Sequence, residues 1–237
     1  RGSNPRRGLP PLAKRALVAW SSGKDSAWTL HLLRSTPGVD VAGLFTTVSE
    51  GSGRVAVHDV RAELLEAQSA ALGLPLRRIP IPRPCPNAVY EAAIARLAEE
   101  ATREGVTHFA FGDLFLEDIR AYRERQFRGS GVAPLFPLWG LPTRELAEEM
   151  TASGLRAWIT CVDPRQAPPE WAGMQFNPEF VRAVPGGVDP CGENGEFHTF
   201  AFAGPMFRRP IGARTGQIEE RDGLVYADLL PGTTPQR

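Results

Sequence analysis

The stretch "VAWSSGKDSAW", residues 18–28, joins a short apolar run to an apolar-periodic one through six small or charged residues. The run "RALVAW" (15–20) stops at Ser21 and reads as a buried strand. In "DSAWTLHLLRST", Ala27, Leu30, His31 and Leu33 recur at helical spacing until Pro37-Gly38 end the pattern. Between the two stands Lys24. Only Lys14 and Lys24 are lysines among the 27 basic side chains, so a lysine here asks for a reason. The plain reading is a strand-to-helix turn with a solvated charge. The chemical reading is a loop that holds phosphate.

Two phosphate motifs fail. A Walker A loop, G-x-x-x-x-G-K-[ST], would need glycine where Val18 stands and Ser or Thr where Asp25 stands. The dinucleotide pattern G-x-G-x-x-G is absent from the junction. What remains is a loop of small residues opening a helix. Its backbone N–H groups and the helix N-terminus suit an anion. Ser21, Ser22 and Ser26 add hydroxyl donors around Gly23, and Lys24 adds a point charge.

The pattern of this first junction repeats. Strands are expected at 39–48, 75–81, 106–112, 132–139 and 155–162. Helices are expected at 60–73, 87–105, after Asp113, and at 143–153, with Gly73 and Gly105 as stops. Apolar strands alternating with helices indicate an α/β fold with a doubly wound parallel sheet. Ligands bind beyond the carboxyl ends of such strands. Residues 21–26, 45–50, 112–118 and 136–140 therefore carry the functional expectations. After about residue 165 the texture turns Pro- and Gly-rich, which suggests a smaller appended region contributing loops. The expected division is a tail at 1–14, a nucleotide-binding domain at 15–138 and a C-terminal substrate-binding region at 139–237.

Composition narrows the class. The 237 residues are 42% hydrophobic and 23% charged, as in a globular protein, with zero formal net charge. Bulk electrostatics thus gives no pull toward nucleic acid or an anionic membrane. No run has the length of a membrane span, and no signal-peptide pattern opens the chain. The opening "RGSNPRRGLPPLAKR" reads as a disordered tail whose first residues are an expression remnant. Cys85, Cys161 and Cys191 are odd in number and far apart, which argues against a disulfide framework and a CxxC site. A cytoplasmic location is expected. The five tryptophans are expected in the core rather than on adenine.

Ser21-Ser22-Gly23-Lys24-Asp25-Ser26 resembles the SGG-x-DS signature of the PP-loop ATP pyrophosphatases, which have the HUP-type fold. Ser22 stands where that signature has glycine, so a positive φ there would carry strain. A second stretch, "VDPCGENGEFHTFAFAGPMF" (188–207), resembles the C-terminal signature of the diphthine–ammonia ligase family within that group. The matching residues are Asp189 to Glu196, then His198-Thr199-Phe200, then Gly204-Pro205. Blocks at 64–76, 109–125 and 134–154 follow in the family's order, so the resemblance covers roughly 15 to 208.

The resemblance implies ATP-dependent amide formation. A carboxylate is adenylated, pyrophosphate leaves, and ammonia displaces AMP. Residues 21–26 would grip the β,γ-pyrophosphate with Mg²⁺. Phe45 and Thr46 would take adenine, and Gly112-Asp113 would meet the α-phosphate. Asp25 and Asp113 would ligate the metal. Lys24, Glu193, Glu196 and His198 are the catalytic candidates, the last three for binding and deprotonating ammonium. Asn194, Thr199 and Arg120 are candidates for the acceptor. A hairpin with solvated glutamates is the plainer reading of 193–196, and a solvated helix face that of Arg120, Arg123 and Arg125, whose other reading is contact with a phosphate or a protein substrate. His58 stands between a phosphate contact and a surface loop. Cys191 is read as structural.

The family's acceptor is a modified residue of elongation factor 2. This Arg-rich composition also suits a GC-rich bacterial genome, where the acceptor would be another carboxylate. No glutaminase segment is recognisable, so free ammonia is the expected nitrogen source. A homodimer fits the group. The competing readings are a tRNA-modifying PP-loop enzyme, a PP-loop protein acting on another acceptor, and a nucleotide-binding sensor without catalysis.

Overall fold

Strand β1 (Lys14–Ala19) and helix α1 (Lys24–Ser35) flank the opening junction in the computed structural model, which describes residues 14–51, 54–55 and 59–232. Of the expected tail at 1–14, residues 1–13 lie outside the described residues, as does His58, while Lys14 begins β1. There follow β2 (Val39–Ser49), α2 (Ala62–Leu72), β3 (Leu76–Ile81), α3 (Asn87–Arg103), β4 (His108–Ala110), α4 (Glu117–Gln126) and β5 (Ala133–Leu135). These five strands form one parallel sheet in the order β3-β2-β1-β4-β5. The strand order reverses between β1 and β4, so their carboxyl ends flank the crevice where such sheets bind ligands.

Helix α5 (Thr143–Ala152) leads to β6 (Arg156–Val162), then β7 (Gln175–Phe176), a short α6 (Pro178–Ala183), β8 (Phe197–Ala203), β9 (Ala213–Arg221) and β10 (Leu224–Pro231). Here the structure departs from the alternating pattern. The strand expected at 155–162 does not extend the parallel sheet. It is the centre of a second, antiparallel sheet, pairing with β8, β7 and β10. An apolar run buried on both faces looks alike in either setting, so burial could not separate them. The region beyond residue 165 is likewise more than loops, since β7 to β10 all lie in it.

Strands β4 and β5 are only three residues each, shorter than the expected 106–112 and 132–139. Past β4, Phe111 turns to line a cleft, whereas past β5 Phe136 and Trp139 pack on Arg120 and residues 136–140 do not line it. Phe111 N–H still reaches Leu135 O, but Trp139 N–H closes a turn on Phe136 O and Gly140 N–H binds Leu114 O.

The two sheets share one core. A continuous apolar cluster runs from Trp20, Trp28, Leu64 and Leu65 to Phe176, Phe197 and Phe200. A second cluster, with Leu17, Phe45, Leu97, Phe109 and Phe111, packs α3 on the other face of the parallel sheet. Trp20, Trp28 and Trp171 are buried, while Trp139 and Trp158 are half-buried. Among the described residues no helix is long and apolar enough to cross a membrane.

Candidate active site

A cleft of about 330 Å³ opens at the switch point. Its walls come from the β1–α1 loop, the end of β2, the segment after β4, and the 189–199 stretch that enters β8. Phe45 and Thr46 line it from β2, with Tyr90 and Ile94 from α3.

The β1–α1 loop is fixed from the second sheet. Ser22 is fully buried and takes φ +73°, the left-handed region that its replacement of glycine made costly. Its carbonyl accepts from Ala201 N–H (2.9 Å) on β8 and from Gln68 Nε2 (2.9 Å) on α2. Gln68 also donates to Ala201 O (2.7 Å) and accepts from Trp20 Nε1 (2.8 Å). Lys24 N–H donates to Thr199 Oγ1 (3.1 Å). Within the loop, Ser21 Oγ accepts from Gly23 N–H (3.3 Å) and donates to Ser26 Oγ (3.2 Å), and Ser26 Oγ donates to Gly23 O (2.9 Å).

Lys24 is 2% exposed. Its Nζ donates to Asp25 Oδ2 (2.8 Å) and to Cys191 O, and sits 5.5 Å and 5.7 Å from the ring centres of Phe197 and Phe176. Burial opposes its charge, but the neighbouring Asp25, Cys191 and Glu193 more than offset that and hold the proton more firmly than usual. Cys191 itself is buried, its thiol donating to Thr143 O (3.3 Å) and its pKa driven up by burial.

Three carboxylates converge beside Lys24. Burial raises the pKa of Asp25, with Lys24 offsetting only part, and leaves Asp25 Oδ1 without a hydrogen-bond partner among the described residues. Asp113 follows Gly112, where the backbone passes so close to α1 that an added Cβ would lie 3.0 Å from the Asp25 carbonyl carbon. Burial also raises Asp113, with the Asp25 charge adding to it against Arg123 at 3.8 Å. Glu193 accepts from Leu114 N–H (2.7 Å), and burial pushes it up to about 7.

The remaining candidates separate. His198 and Thr199 line the cleft from β8. Glu196 is 4% exposed and turned into its own loop. It accepts from Asp189 N–H (3.0 Å), Asn194 N–H (2.9 Å) and Asn194 Nδ2 (3.0 Å). Glu196 and Asn194 thus brace each other rather than face the cleft. Arg120 lies away from it, paired with Glu124 (2.8 Å) and stacked 5.1 Å and 4.7 Å from the ring centres of Phe136 and Trp139. Arg123, three residues on, turns the other way and lines the cleft with Tyr90. Helical spacing put 120 and 123 on one face, but side chains 60° apart met different neighbours.

The fold and the cleft define a class, an α/β protein of the HUP type with a small-residue loop at its switch point. Residues 14–134 match the family model described as diphthamide synthase N-terminal domain, and residues 142–225 the one described as diphthamide synthase C-terminal domain. The chain belongs to this family, the diphthine–ammonia ligases, which are ATP-dependent enzymes. No curated protein matches the sequence.

Proposed function

We propose that the chain is an ATP-dependent ligase that adenylates a carboxylate, releases pyrophosphate and amidates the acyl-adenylate with ammonia. The observation carrying this reading is the convergence, in one cleft, of the 21–26 loop, Gly112-Asp113, and Glu193 with His198. Ser21 Oγ takes Gly23 N–H and Thr199 Oγ1 takes Lys24 N–H, and pyrophosphate oxygens would compete for the same donors. Lys24, held by Asp25 and Cys191 O, supplies a fixed positive charge where the leaving group gains negative charge. Phe45 and Thr46 offer the end of β2 to adenine.

Mg²⁺ fits this donor set. Among the described residues no cluster of three or more His, Cys, Asp or Glu is arranged to hold a metal alone. Mg²⁺ is commonly bound through one or two carboxylates, with waters and phosphates completing its shell. Among the described residues Asp25 and Asp113 each leave a buried oxygen without a hydrogen bond, in keeping with that role. The ion would neutralise phosphate charge.

Glu193, poised near neutrality, accepts the proton that ammonium must lose before attack. His198 stands on the same wall. Glu196 and Asn194 keep the Glu193 loop in shape, and Thr199 holds Lys24 N–H. The acceptor enters from the open side, and the family points to the modified residue of elongation factor 2, in the cytoplasm. The test is pyrophosphate and AMP release from ATP, Mg²⁺ and ammonium with a panel of carboxylates, diphthine-bearing elongation factor 2 among them. Acceptor-dependent release is expected, falling ~100-fold or more in Lys24→Ala. Tight ATP binding with no release for any acceptor would leave a nucleotide sensor instead.

A further inference from the structure

We propose that Arg123 binds the α-phosphate of the nucleotide and is held for it by Tyr90 and Phe111. This rests on the reading of the cleft as an ATP site. Arg123 Nη1 donates to Tyr90 Oη (3.0 Å), and the guanidinium lies 4.5 Å from the Phe111 ring centre. One edge of the group is therefore anchored and its plane is fixed. The Nε edge is buried and has no hydrogen-bond partner among the described residues. It faces Asp113, but at 3.8 Å the pair shares charge without a hydrogen bond, and Asp113 Oδ2 likewise has no hydrogen bond among the described residues.

Charge points to the same occupant. Among the described residues lining the cleft, Asp25, Asp113 and Glu193 face two permanent cations, Lys24 and Arg123. Lys24 is already engaged by Asp25 and Cys191 O. Its ammonium spends two of three N–H groups there, whereas Arg123 keeps a buried Nε–H unpaired among the described residues, and a planar guanidinium suits two phosphate oxygens at once. A nucleotide with its counter-cation brings a partner for each orphan, an anion for Nε and a cation for Asp113. Location selects the α-phosphate. Arg123 stands with Gly112-Asp113 at the end of β4, across the switch point from the 21–26 loop that would take the pyrophosphate.

Calorimetry with AMP, ATP and adenosine tests this on the full chain. Arg123→Ala and Arg123→Gln should each weaken AMP and ATP at least ~10-fold and leave adenosine unchanged, which also shows that the cleft is folded. Arg123→Lys should restore part of the loss, and Tyr90→Phe should weaken AMP less than Arg123→Gln does. Unchanged AMP binding in both Arg123→Ala and Arg123→Gln overturns the proposal. So does an equal loss of adenosine, which would make Arg123 part of the base pocket. Failure of the unsubstituted protein to bind any adenine nucleotide removes the ATP reading itself, and the proposal with it.

Discussion

Ser22 shows how one side chain records a constraint. The loop needs a left-handed residue between Ser21 and Gly23, and serine takes that conformation without the freedom of glycine. Its hydroxyl is buried and makes no hydrogen bond among the described residues. Ser22→Gly is expected to raise stability by about 1 kcal/mol, read from a denaturant midpoint. Glu193 gives a second residue-scale expectation. Its pKa is raised from the usual 4.5 to about 7. Between those values the folded chain keeps a proton that the unfolded chain has lost. Stability from this group is thus greatest on the acid side and falls as pH rises through the window. Thermal melts without nucleotide or Mg²⁺ should show that fall, and Glu193→Gln should flatten it. A catalysed amidation should run the opposite way, its rate rising through about pH 7 as the base forms.

At the scale of elements, the turn from 189 to 196 holds the site together. Gly192 takes φ +69°, and a Cβ there would lie 2.7 Å from Phe197 O, a backbone atom at the head of β8. Gly192→Ala should lower stability by about 2 kcal/mol and weaken any nucleotide binding, since Lys24 leans on the adjoining Cys191 carbonyl. The sequence made the parallel half legible because each strand there reaches a glycine, proline or small polar residue within two positions of its end. The β9–β10 hairpin was equally marked but unread. Asp222 and Gly223 have φ of 55° and 75°, the left-handed pair of a tight hairpin turn, between runs of strand. The roles within "CGENGEFHT" were harder to see. Two glutamates three apart look equivalent in a string, yet one faces the cleft and the other is consumed by its own turn.

For the whole molecule, Gln68 is the joint between the halves. Its fully buried amide links Trp20 after β1, Ser22 in the loop and Ala201 on β8. Gln68→Leu would strand several buried polar atoms and should destabilise the fold by about 2–4 kcal/mol, measured by chemical unfolding. No periodicity announces such a residue, because a helix pattern only marks position 68 as inward. Arg123 was visible only as one of three helix arginines open to a phosphate or a protein substrate, since its partner Tyr90 lies on another helix. Ion pairs add a second seam, in which Arg221 binds Asp59 (2.7 Å) and Arg61 binds Asp228 (2.6 Å).

The hydrogen bond from Lys24 to Thr199 spans 175 residues of chain, and this has a consequence for how the molecule comes into being. The ribosome makes the loop before the strand that completes it. Until Thr199 and Ala201 have emerged, the loop lacks the partners that hold Ser22 and Lys24 in place. A product truncated before Thr199 is thus expected to carry the signature residues without the contacts that hold them in place.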